Sequence, residues 1–145
     1  MRLPKTPYPT PSEIRHAFAL LSQRSSFGTF FDEHVSETVD WTAMGVDYPL
    51  AGHWRTREEF LRCAYDKLHS VLDDDGLVLD VVDVHGGGMD EWAVVELRGR
   101  GRCRNGMDFP NTYAWIVKFG GDRRVVRVTA YLDTGLVARA FAANS

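Results

Sequence analysis

Val94-Val95-Glu96-Leu97-Arg98-Gly99-Arg100-Gly101-Arg102-Cys103-Arg104-Asn105-Gly106-Met107, running on to Asn111-Thr112-Tyr113-Ala114-Trp115-Ile116-Val117, decides the fold. Two strand-like runs flank Asn105-Gly106. Asn-Gly in that setting is the strongest short hairpin signal, because a type I′ turn needs positive φ at both central residues. With these two residues as the loop, Arg104 faces Met107 and pairing proceeds outward. Arg100 then lies opposite Asn111, Arg98 opposite Tyr113, Glu96 opposite Trp115 and Val94 opposite Val117. Side chains alternate faces along a strand, so all eight share one face. Apolar surface mixed with Glu, Arg, Tyr and Asn suits a small-molecule pocket better than a dry core.

Working outward, the hydrophobic period is two from Leu77 onward. Four strands are predicted over 77–85, 91–103, 108–119 and 124–134, separated by Gly86-Gly87-Gly88, Asn105-Gly106 and Gly120-Gly121-Asp122. Upstream the pattern is helical. Residues 1–9 form a proline-punctuated arm, and Thr10-Pro11-Ser12-Glu13 reads as a capping box with Pro at the first helical position. Ile14, Ala17, Phe18 and Leu21 come next at helical spacing. A second short helix starts near Ser26 with Phe27, Phe30 and Phe31 inward, and Val35 to Met44 reads as a strand. Pro49-Leu50-Ala51-Gly52 is a turn. Thr56-Arg57-Glu58-Glu59 repeats the capping pattern and opens a helix to about Leu72, with Phe60, Leu61, Ala64, Leu68 and Val71 on its buried face. Helices followed by a long meander imply a single α+β domain over 1–145. Its strongly curved antiparallel sheet wraps the N-terminal helices and leaves a cone-shaped cavity.

A chain of 145 residues with 44% apolar and 12% aromatic content is long enough to bury a substantial core. The formal charge of −3 with interspersed signs argues against a nucleic-acid role. Arg98, Arg100, Arg102 and Arg104 are the one basic cluster, and on a strand all four project to one side. Cys63 and Cys103 have no metal-type spacing and read as reduced, buried thiols of a cytoplasmic protein. No apolar run has the length of a signal peptide core or a membrane span.

With these elements in place, the chain resembles SnoaL-like members of the nuclear transport factor 2-like (NTF2-like) superfamily. The resemblance rests on the order of elements and on four stretches: Val39-Asp40-Trp41 with Pro49-Leu50-Ala51-Gly52; Val94-Val95-Glu96-Leu97; Asn105-Gly106 with Asn111-Thr112-Tyr113-Ala114-Trp115; and Val128-Thr129-Ala130-Tyr131-Leu132-Asp133. It implies a cofactor-free pocket in the cone and a homodimer. Its enzymes include ketosteroid isomerase, scytalone dehydratase, limonene epoxide hydrolase and polyketide cyclases, while other members only bind. Trp41 and Trp115 stand where ketosteroid isomerase has carboxyl groups, and Ala130 where limonene epoxide hydrolases carry one. Those two reactions are therefore disfavoured.

Glu96 is the leading acid–base candidate, because a mid-strand carboxylate costs several kcal/mol unless paired or hydrated. Its bland alternative is a same-face partner of Arg98. Arg98 offers a planar donor fork to an enolate or carboxylate, and Tyr113 offers a hydroxyl donor with a large apolar ring. Trp41 and Trp115 serve as aromatic walls and Asn111 orients substrate or satisfies backbone groups. His16 and His53 read as solvated or core histidines. The five histidines show no ligand-like spacing, so no metal is expected. Asp133 reads as a structural or rim residue, with Val126, Val128, Ala130 and Leu132 on the Tyr113 face. The opposite face, with Val95, Leu97 and Cys103, is the expected dimer surface. The reading is a cofactor-independent isomerase, cyclase or dehydratase of specialised metabolism, acting on a small hydrophobic, oxygenated substrate. A noncatalytic binding or dimerisation module and an epoxide or lactone hydrolase are the alternatives.

Overall fold

The computed structural model describes residues 5–145, so the first four residues of the expected arm lie outside the described residues. Helix α1 (Pro11–Phe18) leads through a 3-10 turn (Ala19–Ser22) into α2 (Arg24–His34). Then come β1 (Val35–Ala43), β2 (Gly52–Trp54), α3 (Arg57–Phe60), a π-helical turn (Leu61–Tyr65) and α4 (Asp66–His69). Strands β3 (Val78–Gly86), β4 (Trp92–Arg100), β5 (Thr112–Phe119) and β6 (Val125–Leu132) succeed them, and α5 (Thr134–Ala143) ends the order.

Capping chemistry starts α1 and α3 where expected, whereas α2 starts at Arg24, two residues before the expected Ser26 and without a side-chain cap. Thr10 Oγ1 accepts from the Glu13 N–H at 3.2 Å, and the Glu13 carboxylate accepts from the Thr10 N–H at 3.1 Å. At Thr56 half of that device forms. Its hydroxyl accepts from the Glu59 N–H at 3.0 Å, while the Glu59 carboxylate takes the Arg55 N–H at 3.1 Å.

The six strands form one open sheet in the order β2-β1-β6-β5-β4-β3. Neighbours are antiparallel except β1 and β6, which run parallel with Trp41 opposite Val128 and Ala43 opposite Ala130. That pair joins the N-terminal strand to the meander. The final helix α5 begins because β6 stops at Leu132. Asp133 Oδ1 accepts from the Leu136 N–H at 3.0 Å and caps α5, which buries Leu136, Val137 and Ala140.

The β4–β5 register differs from the expected one by a single residue. The Cys103 N–H donates to the Met107 carbonyl at 2.8 Å, and the Gly106 N–H to the Cys103 carbonyl at 2.9 Å. The loop is therefore Arg104-Asn105-Gly106, three residues rather than two, with Gly106 at φ 89°. Glu96 now pairs with Ala114, Val95 with Trp115 and Leu97 with Tyr113. A one-residue slip turns every side chain of one strand to the other face.

Two expectations are corrected by this. Glu96 and Arg98 point outward and are exposed, while Val95 and Leu97 face the helices beside Tyr113 and Trp115. Val95, Leu97 and Cys103 belong to the core rather than to an uncovered dimer surface. Val128, Ala130 and Leu132 share the Tyr113 face as expected, with Tyr113 opposite Leu132, Trp115 opposite Ala130 and Val117 opposite Val128. Only Val126 leaves that face, because a bulge at Lys118/Phe119 shifts the phase.

Phe18, Phe30, Phe31, Trp41 and Trp115 fill the space between helices and sheet. Phe18 meets Phe30 at 4.7 Å between ring centroids, and Trp41 meets Trp115 edge-on at 5.0 Å. Both cysteines are free. Cys103 is buried, but Cys63 is exposed, which corrects the expectation of two buried thiols. Among the described residues no helix is long and apolar enough to cross a membrane.

Candidate functional site

A small apolar pocket of about 80 Å³ lies between α2, the α3–α4 run and the inner face of the sheet. Period-two alternation brings Trp41 from β1 and Tyr113 and Trp115 from β5 to its wall. Phe60 and Tyr65 come from the helical side, Phe60 just before the π-helical turn and Tyr65 as its last residue. Phe60 stacks on Trp41 at 3.9 Å and 18° between ring planes. Among the described residues that line it there is no Asp, Glu, Lys or Arg.

The polar atoms at this pocket are neutral donors. Burial pushes the Tyr113 hydroxyl far above its ordinary pKa of 10.0, with the Asn111 amide acting in the opposite direction. The phenol therefore stays protonated. Trp115 Nε1 and Asn111 Nδ2 are buried and make no hydrogen bond among the described residues. Asn111 Oδ1 accepts from the Asp133 N–H at 3.0 Å, so this side chain does satisfy backbone.

At the other wall Arg24 Nη1 donates to the Tyr65 hydroxyl at 3.1 Å and lies 3.0 Å from His69 Nε2. His69 Nδ1 lies 2.9 Å from the Tyr65 carbonyl. With a guanidinium facing Nε2 and a carbonyl facing Nδ1, the imidazole proton belongs on Nδ1. Burial lowers the His69 pKa, and the nearby Arg24 charge adds to the lowering.

Of the expected site residues, Trp41, Tyr113 and Trp115 come together in the pocket, with Asn111 buried behind Tyr113. Glu96 and Arg98 do not. Glu96 Oε2 lies 2.8 Å from His85 Nε2 on the outer face, and Arg98 is exposed opposite Asp80. Phe31 and Tyr65 also line the pocket, and sequence reasoning does not mark either as a site residue. Helical spacing puts Phe31 inward, but the π-helical turn that sets Tyr65 against Phe27 and Phe31 leaves no mark in the apolar period.

A larger open cleft of about 590 Å³ lies outside, between α1, the end of α2 and the β5–β6 loop. His16 and His34 line it, with Arg124 beside them. Arg123, also in its wall, is paired with Glu13 at 2.9 Å. His53 sits on the outer sheet face, 2.6 Å from Asp40 Oδ1. The apolar pocket is the better candidate site, because it is walled by side chains converging from both layers of the fold.

No family model matches the chain. It is 24% identical over 107 residues to the dimerizing cyclase phiC of a fungal species, a match covering 74% of this chain and 47% of that protein. The chain thus spans about half the length of that relative. Among solved structures it resembles a protein assigned as a SnoaL-like polyketide cyclase from Jannaschia sp. CCS1. There the TM-score is 0.69 at 13% identity, over 100% of this chain and 99% of that one. It also resembles an NTF2-like protein of unknown function from Burkholderia pseudomallei, with TM-score 0.68 at 18% identity over 88% of this chain and 92% of that one. Helices first, a six-stranded open sheet behind them and a pocket between the two layers: the chain has the NTF2-like fold of the SnoaL-like proteins.

Proposed function

We propose that this chain is a small-molecule enzyme of the isomerase or cyclase kind. In this reading it works without a cofactor on an apolar, oxygenated substrate of specialised metabolism. The supporting observation is the pocket lining, aromatic from both layers, with neutral donors and no charged side chain. Such walls hold an apolar chain folded, so that much of the entropy of bringing reacting atoms together is lost on binding. Tyr113, kept protonated by burial, donates to a carbonyl oxygen as negative charge builds on it. Trp41 and Trp115 shape the bound substrate. The lining offers no carboxylate to carry a proton, so closure of the substrate's own enol onto a second carbonyl suits it better than proton-shuttling isomerisation or dehydration. The new carbon–carbon bond forms as that carbonyl's π bond breaks, and the enol proton ends on the new hydroxyl. The distant likeness to cyclases points the same way.

One observation favours a second reading. A volume of about 80 Å³ leaves little room beyond the aromatic side chains, which suits a noncatalytic ligand-binding module. The hydrolase alternative needs Glu96 and Arg98 in the pocket, and both lie outside it.

Open-chain polyketones of increasing length provide the test, with tryptophan emission reporting occupancy and mass spectrometry with NMR reporting an isomeric, ring-closed product. Turnover is expected. Tyr113→Phe should lower kcat by about a hundredfold with KM little changed, and Glu96→Gln should leave kcat intact. Binding without turnover selects the binding module. Loss of turnover in a folded Glu96→Gln protein overturns the pocket as the seat of the chemistry.

A further inference from the structure

Strand β3 breaks its own alternation. In Leu79-Asp80-Val81-Val82-Asp83-Val84-His85 the positions packed against the core, Leu79, Val81 and Val84, alternate up to Val81 but resume only at Val84, out of phase across Val82. The pairing with β4 shifts between Val81 and Asp83, leaving Val82 as a bulge that is 48% exposed. Without the extra residue, Asp83 and His85 would point toward the core side. With it, both stand on the outer face, Asp83 directly opposite Glu96 and His85 opposite Val94. Bulges of this kind re-aim side chains and are over-represented beside active sites.

We propose that Asp83, His85 and Glu96 form a binding site for a divalent transition-metal ion of the Zn²⁺ class. His85 Nε2 lies 2.8 Å from Glu96 Oε2 and 3.7 Å from Asp83 Oδ2. One ligand atom from each of the three residues falls within 4.8 Å of the others. An ion bound at about 2.0–2.2 Å sets its ligand atoms about 2.9 Å apart in octahedral and about 3.4 Å apart in tetrahedral geometry. The two distances from the imidazole nitrogen straddle those values.

The Asp83 carboxylate is already oriented. Its Oδ1 accepts from Arg15 Nη2 at 3.0 Å and from the Val84 N–H at 2.8 Å, which leaves Oδ2 for His85. Outer partners of this kind fix a ligand's direction. Two carboxylates neutralise a dication, and one imidazole nitrogen favours Zn²⁺, Co²⁺ or Ni²⁺ over the oxygen-seeking Ca²⁺ and Mg²⁺. All three residues are exposed, so water completes the coordination. Arg15 adds a positive charge nearby and tempers the affinity. The ligands come from two neighbouring strands, which is why histidine spacing along the chain gave no sign of them. The site is on the opposite face of the sheet from the aromatic pocket and supplies no step to the proposed reaction.

Calorimetric titration of Zn²⁺ into the full chain, in a non-coordinating buffer near neutral pH, is the direct test. One ion per chain is expected, with His85→Ala and Glu96→Gln each weakening binding by about tenfold or more. His53→Ala, which alters the separate Asp40 pair, should change nothing. Amide signals broadened by Co²⁺ should centre on residues 83–86 and 94–98. Absence of saturable binding overturns the proposal and leaves a hydrogen-bonded surface cluster. Undiminished binding in His85→Ala, or broadening centred on His16 and His34 or on Cys63, overturns it as well.

Discussion

Asn111 ties together two parts of the chain that are far apart in sequence. It is the fully buried polar side chain among the described residues, and its carbonyl oxygen holds the Asp133 N–H. Asp133 in turn caps α5. Asn111→Ala would strand a backbone donor and should cost roughly 1–3 kcal/mol in urea unfolding. A loss below about 0.5 kcal/mol would show that the donor finds another partner. Of the two roles expected of Asn111, the backbone one is the one this contact fulfils. The sequence shows a polar residue next to a strand, but only the β6–α5 junction identifies the backbone group it serves. The structural reading of Asp133 holds for the same reason, since the residue after a strand is well placed to cap the next helix. Trp41 and Trp115 were legible as walls because both are apolar on strands of alternating pattern.

At the scale of elements, the β4–β5 hairpin shows what a turn motif settles and what it leaves open. Asn105-Gly106 does mark the turn, yet a loop longer by one residue inverts the parity of β4. The strand itself carried the warning. Glu96, Arg98, Arg100, Arg102 and Arg104 occupy one parity, while Val95, Leu97, Gly99, Gly101 and Cys103 occupy the other. Five charges in one row cost far less facing water than facing a core, and that comparison outweighs the turn. The starts of α1 and α3 were more secure because capping is local chemistry.

The α3–α4 run also carries a pH dependence. Burial lowers His69 below its ordinary 6.5, Arg24 adding to the effect while the Tyr65 carbonyl opposes it. The folded state therefore prefers the neutral ring. Its contribution to stability is full above the ordinary value and is lost as pH falls from there through the lowered folded value. His69→Gln should flatten the fall of Tm with acidification between about pH 7 and pH 5. An unchanged slope assigns that fall to other groups, such as His34, which burial lowers in the same direction.

For the molecule as a whole, the surface that matters is the outer sheet face. Val94, Ala114, Ile116 and Thr129 are half-buried there without helical cover, and Tyr131 is 46% exposed. If the homodimer implied by the family resemblance forms, this face is the one available to it, rather than Val95, Leu97 and Cys103. Ile116→Arg should then convert a dimer to a monomer in sedimentation equilibrium, and a monomeric parent protein would refute the pairing. The layered architecture was legible from the switch of hydrophobic period at Leu77. The parallel β1–β6 pair was not, because it joins strands from opposite ends of the chain and no local signal specifies such a pairing.

The kink at Val82 has a consequence beyond its neighbours. Strand β3 is the free flank of the sheet, and β2, the opposite flank, has only three residues. A distorted border carrying Asp80, Asp83 and His85 on one side and a stub on the other give no long, regular ladder of backbone groups to a foreign strand. The fold thus leaves its barrel unclosed and still discourages chains from stacking edge to edge into fibres.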